Sequence, residues 1–293
     1  MTEQEIKDWF KGLEAQITGL LAGLSRRLRT AEAALLRLFL ANVLPALASK
    51  DGKLTRTADN LAKVNLIERA FDELGSKTMR PQLARFADEL LGVAGREAEY
   101  YLRMGFDEAK VKRIAADLTL IRAKLGLNAT GGLANDGYLY RLGRSETLRQ
   151  QMRDQLLQSM VSGQSASQYA KGLKELIEGS PDVDGLLTRY WRQHAFDAYS
   201  QVREIKNLQY ADELGLNWFL YTGGIIRTTR RFCEKRNSKV FHRDDTKNWK
   251  NDPDLIEPST KQSYQPLLER GRYNCRHFIA WLSDEDAKRR LNI

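Results

Sequence analysis

Four side chains toward the end of the chain carry the chemistry of metal donors: Cys233, His242, Cys275 and His277. Cys275 and His277 are two apart, so in an extended segment both leave the same face and can reach one centre. Cys233 and His242 complete a Cys2His2 set, the thiolate and imidazole donors that hold zinc in a tetrahedron. The spacing is unlike that of a standard finger, and the stretch from His242 to Cys275 is long. Two buried reduced thiols without metal are therefore the competing reading. These are the only two cysteines, which excludes a disulfide framework. The third histidine, His194, falls in the middle of a helical segment and reads as a packing residue.

Beside the first cysteine, Arg227, Arg230 and Arg231 follow a Gly-Gly turn, and Lys235, Arg236 and Lys239 extend them into a dense cationic cluster. Guanidinium forks match phosphate or carboxylate oxygens. The alternative is internal: Arg227 and Arg230 pin the loop by bonding backbone carbonyls or acidic neighbours. Net charge is +9, and residues 217–293 hold 16 Lys and Arg against 10 Asp and Glu, so two thirds of the excess lies in the last quarter. Such a segment favours DNA phosphate or an acidic protein surface, or is simply a solvated face.

The elements that must position these residues come in two textures. Ile6, Phe10, Leu13, Ile17, Leu20, Leu24 and Leu28 alternate spacings of 4 and 3, the stripe of a helix packed along one face. A second helix is expected from Thr57 or Asp59 through Phe71, stopped by Gly75, and a third opens at Pro81. Val111, Ile114, Leu118, Ile121 and Leu125 make a fourth stripe. Gly126 to Gly137 reads as a loop and a subdomain boundary. Beyond it come a helix from Ser145 to Ser162, a short one capped by Ser165, and a long one from about Asp182 to Leu214, closed by Gly215. Trp218 to Tyr221 and Lys239 to Phe241 are β-like, and residues 251–274 read as an irregular connection. The expected fold class is mainly α: a helical N-terminal region with a small α+β C-terminal module. The expected division is a helical arm or bundle over 1–125 that packs separately, a helical subdomain over 138–215, and an α+β Cys/His module over 216–293, small enough to benefit from a metal staple.

An aromatic strand from Trp218, a Gly turn, Thr229-Arg230 ahead of Phe232-Cys233, Lys239-Val240-Phe241 and a closing Tyr273-Asn274-Cys275-Arg276-His277 together resemble the C-terminal module of phage Mu F-like minor head proteins, the head morphogenesis family. Upstream, Gly163-Gln164-Ser165 and the stretch from Tyr190 to Gly215 are similar to the region preceding that module, so the resemblance covers roughly residues 140–280. Ile225-Ile226 stands where such proteins often place an Asp, and Phe278 to Leu282 lacks the proline often found after the closing His. The resemblance implies a low-copy virion protein of a tailed bacteriophage. It would lie inside the capsid near the portal, with the portal and major capsid proteins or DNA as partners, made in the host cytoplasm, and it implies no established catalysis.

A metal-stapled DNA-binding protein or nuclease is the alternative, although three histidines can hardly fill both a structural and a catalytic metal site. Cys275 with His277 as nucleophile and base is conceivable, but closeness in sequence fixes no geometry. No G-x-x-x-x-G-K, G-x-S-x-G or G-x-G-x-x-G occurs, which leaves nucleotide motors, serine hydrolases and dinucleotide enzymes without support. No apolar run is long enough to span a bilayer, and the acidic start MTEQEIKDWF lacks the pattern of a signal peptide. The expectation is a soluble, non-enzymatic protein with no membrane or small-molecule partner.

Overall fold

The computed structural model describes residues 1–143, 146–255 and 263–292. It is mainly α with one small three-stranded sheet near the C-terminus, the fold class expected. The helices run α1 (Glu3–Leu38), α2 (Ala58–Ala62), α3 (Asn65–Leu74), α4 (Arg80–Arg103), α5 (Glu108–Ala116), α6 (Thr119–Leu125) and α7 (Tyr138–Gly143). They continue with α8 (Glu146–Val161), α9 (Ala166–Glu178), α10 (Leu186–Leu214), α11 (Arg231–Glu234), α12 (Pro266–Glu269) and α13 (Asp284–Leu291). Two minimal hairpins, β1 (Ser49–Lys50) with β2 (Lys53–Leu54) and β3 (Gly179–Ser180) with β4 (Val183–Asp184), interrupt them. The sheet is β5 (Trp218–Gly223), β6 (Lys239–His242) and β7 (His277–Leu282) in the order β6-β5-β7, antiparallel throughout. Among the described residues no helix is long and apolar enough to cross a membrane.

The chain forms two compact units, one of Met1–Leu20, Glu89–Ile121 and Ala195–Ile293, the other of Leu21–Asp88 and Arg122–His194. The expected divisions at 125/138 and 215/216 do not follow these lines. Residues 1–125 are not a separately packed arm, because Phe10 of α1 stacks on Phe278 of β7 at 5.0 Å and Tyr100 of α4 donates to the Trp281 carbonyl at 2.8 Å. The physical reason is the sheet itself. All six residues of β7 are buried, and three strands cannot bury both of their faces. The outer edge of β7 is closed by side chains: Asn207 Nδ2 donates to the Ile279 carbonyl at 2.6 Å, next to the Tyr100 bond. On the opposite face Trp249 meets Phe219, Tyr221, Phe232 and Phe241 edge-on, with ring centroids 5.4 to 6.1 Å apart.

The same unit buries charge. Arg203, 1% exposed, pairs with Glu97 at 2.6 Å and Glu204 at 2.8 Å. Glu204 in turn pairs with Arg270 at 2.5 Å, and Arg270 also bonds Ser200 Oγ. Two carboxylates face two guanidiniums, so the dry network is neutral overall.

In the other unit Thr57 caps α2, its side chain accepting from Asn60 N, and the chain breaks at Lys63 before α3 begins. Gly75 does not end the helix: it stays in right-handed φ,ψ and leads through a π turn, Gly75–Met79, into α4. Ser165 caps α9 in a reciprocal box with Gln168. Residues 126–137 form an irregular turn pinned by Asn128 Oδ1, which accepts from Thr130 N at 3.1 Å and Gly132 N at 2.8 Å. Asp182 precedes β4, so the long helix starts later than expected, at Leu186, and Gly215 closes it with φ +74°. The expected helix start at Ser145 lies outside the described residues, as do 256–262 of the expected irregular connection.

Candidate metal centre

Three of the four expected donors meet. Cys233 sits on the short helix α11, Cys275 just ahead of β7, and His277 is its first residue. Their donor atoms all lie within 4.8 Å of one another, and each residue is at most 3% exposed. The two sulfurs are 3.7 Å apart. Two thiolates on one tetrahedral zinc, each at about 2.3 Å, stand about 3.8 Å apart. Both ring nitrogens of His277 are buried without a hydrogen-bond partner, a costly state that a bound cation would relieve at one of them. The cluster can hold a metal ion.

Sequence and local geometry explain the convergence. Gly223 pairs with His277 across the sheet, and a Cβ on it would lie 2.7 Å from His277 Cα, so only glycine lets the histidine stand there. Gly271 packs against the sulfurs, and a Cβ on it would lie 2.3 Å from Cys233 Sγ and 3.3 Å from Cys275 Sγ. Between them the chain makes a tight knuckle in which Arg270, Arg272 and Asn274 adopt φ of +50°, +69° and +54°. Three non-glycine residues at positive φ are held only where the surroundings over-determine them. Here Arg230 donates to the Gly271 carbonyl at 3.0 Å and the Tyr273 carbonyl at 2.7 Å, and Asn274 N donates to Asp197 Oδ1 at 2.7 Å.

Around the donors stand groups that tune them. Tyr221 OH donates to Cys233 Sγ at 3.3 Å, and its ring stacks on His277 at 5.3 Å. Burial keeps this phenol far above its ordinary range, so it remains a donor. The two thiols titrate as a pair. The hydrogen bond from Cys233 holds Cys275 well below the usual thiol range, helped by His277 and Arg270 and opposed by burial. The same bond, with burial, pushes Cys233 up.

His242 does not join. It ends β6 opposite Trp218, whereas His277 faces Gly223, five residues along the same central strand, roughly 16 Å at strand rise. Its ring lies edge-on to Trp218 at 4.9 Å, and Nδ1 accepts from Asp244 N at 3.3 Å, capping the 3-10 stretch Arg243–Asn251. A cap sets its rotamer, and no reading of the spacing could supply that. His194 lies tilted against the Tyr190 ring, with centroids 4.5 Å apart, as a packing residue does.

The cationic cluster divides. Arg230 pins the knuckle, in line with the internal alternative for that residue. Arg236 is buried between Phe232 and Trp249 and paired with Asp252 at 2.6 Å, and Lys235 pairs with Asp254. Arg227, Arg231 and Lys239 are exposed and make no ion pair among the described residues.

Sequence reasoning missed Tyr221, Arg270 and Gly271. Tyr221 had a signal, since period-two alternation puts it on the face of Phe219. Gly271 had a weaker one, a glycine four residues before a donor cysteine. Arg270 had none, for its role depends on Glu204 of α10. No protein-family model matches this chain, and no curated protein or solved structure is significantly similar to it.

Proposed function

We propose that this chain is a minor structural protein of a tailed-phage head, whose C-terminal module is stapled by zinc through Cys233, Cys275 and His277. One observation carries the reading. The two segments on which the resemblance rests, Thr229 to Cys233 and Tyr273 to His277, are one site in space, joined by Arg230 bonding the Gly271 and Tyr273 carbonyls and by the thiol pair. The nearest ends of the two segments, Cys233 and Tyr273, are 40 positions apart in sequence, so it is the fold that brings them together. Soft thiolates with imidazole select zinc over hard cations, and the module around it is of a size that gains from a staple. In this reading the portal and major capsid proteins are the neighbours. The exposed Arg227 and Arg231, with Lys239, offer contact to DNA or to an acidic face of those partners.

Four measurements test it. Metal analysis of the purified full chain should return about one zinc per chain, lost in Cys275→Ser. Mass spectrometry of particles from the producing infection should find the chain at a few copies each; absence from particles ends the virion assignment. Replacing Arg227 and Arg231 together should flatten the salt dependence of DNA affinity by about 0.9 in log–log slope per lost phosphate contact. An unchanged slope redirects that surface to a protein partner. Metal-dependent DNA cleavage by clean protein would promote the nuclease reading instead.

A further inference from the structure

The three donors leave a tetrahedral ion one ligand short, and what borders them is a cavity rather than a fourth side chain. Cys233, Cys275 and His277 all line one hollow of about 140 Å³, closed by Ile226, Thr228, Thr229, Arg230, Asn274 and Arg276. It has room for several waters. Thr228, Asn274 and Arg276 are exposed, so the hollow opens to solvent. The side chains of Thr228 and Asn274 make no hydrogen bond among the described residues. His277 supplies the second, independent sign of a ligand: a buried, 1% exposed imidazole lining this hollow with both nitrogens unpartnered. Tyr221 also stands beside the sulfurs, but its hydroxyl already serves Cys233 Sγ and it does not line the hollow.

Charge decides what enters. A dication with two thiolates is neutral. Of the guanidiniums at the hollow, Arg276 is paired with Glu14 at 3.5 Å, whereas Arg230 bonds only the Gly271 and Tyr273 carbonyls and has no acidic partner among the described residues. Arg270, next to Cys275, is balanced by Glu204. One positive charge is left over, and a monoanion balances it where a phosphate dianion would overshoot. Sites closed by four protein ligands are structural, whereas three ligands with an open fourth position admit an outside donor.

Resting on the metal reading above, we propose that the ion's fourth position faces this hollow and is filled by a carboxylate, from a free acid or from a Glu side chain of another protein, with Arg230 as its countercharge and Arg276 at the mouth. Cobalt(II) reports on this directly, because its visible spectrum follows the number and kind of its ligands. The full chain, freed of metal and loaded with one equivalent of cobalt(II), should show thiolate-to-cobalt charge transfer. Acetate should then change the d–d bands saturably, and inorganic phosphate much less. Arg276→Gln, an exposed position, should weaken the acetate effect about threefold to fivefold. Tyr221→Phe should leave it in place. A short Glu-containing peptide forms a separate arm: a tighter response to it than to acetate identifies a protein side chain as the source, and a weaker one identifies a free acid. If no cobalt binds, the staple and this inference fall together. If cobalt binds with thiolate bands that neither acetate nor peptide moves, the staple stands and the open position is overturned. A response to phosphate but not to acetate overturns the carboxylate, and an acetate response that appears only in Tyr221→Phe reassigns the fourth ligand to the phenol.

Discussion

At the scale of single residues the centre depends as much on what is missing from Gly271 as on what its donors supply. A methyl group there would sit 2.3 Å from Cys233 Sγ, inside van der Waals contact with an atom that cannot retreat far in a buried site. Gly271→Ala should therefore cost about 1–3 kcal/mol, the usual penalty of overpacking, and cut metal uptake, read by thermal unfolding and metal content. Gly224→Ala is the control, since no atom lies within 4 Å of its added methyl; equal losses in both variants would sink the argument. The donors themselves were legible in part. Two residues of an extended segment must share a face, and that placed Cys275 with His277. Cys233 joined them through the α11 turn, while His242 had the right chemistry and the wrong end of the strand.

At the scale of elements, hydrophobic periodicity located the helices but not their breaks. Ile6, Phe10, Leu13, Ile17, Leu24 and Leu28 are buried along α1 as the stripe requires. The stripe from Val111 to Leu125 looked continuous, yet Asp117 divides it into α5 and α6 because its carboxylate accepts from Thr119 N at 3.0 Å and caps the second helix. A local polar bond outcompetes one more helical turn, and the apolar spacing does not record it. At the start of α10 a different polar contact sets a pH dependence. Glu32, 1% exposed, accepts from Thr188 N at 2.7 Å through Oε1, and Oε2 has no partner. Burial raises its carboxyl above the ordinary 4.5. A carboxyl raised in the folded state adds stability below its unfolded value, and that stability is lost as pH rises through the folded one. Glu32→Gln should thus raise the melting midpoint at pH 7, and the gain should shrink toward zero below about pH 4.5. A gain that is the same at both values would show that the carboxyl is not the source.

At the scale of the whole molecule two cross-connections hold distant parts of the chain, one ionic and one through sulfur. The ionic one joins Glu97 of α4 to Arg203 of α10, 106 positions on, with both side chains 1% exposed. Arg203→Ala should cost about 3–5 kcal/mol by stranding Glu97, whereas Glu97→Met with Arg203→Met should recover most of it, because the Glu204 and Arg270 pair stays balanced. Denaturant titrations of the three proteins decide this. If the double variant is as unstable as the single, the pair contributes more than its charge. The sulfur connection spans 42 positions, and its atoms are 3.7 Å apart with nothing fixed between them. Closing them by about 1.7 Å would make a disulfide. In metal-free protein peroxide would take two electrons from the thiols, their protons leaving as water, and the new covalent loop would restrict the unfolded chain by about 4 kcal/mol. The same two residues thus offer a reversible clasp in reducing surroundings and a covalent one in oxidising surroundings, and an ion in place blocks the second. Metal-loaded chain should keep both thiols titratable through a peroxide exposure that removes them from stripped chain, so the environment in which the protein is stripped decides which clasp it wears.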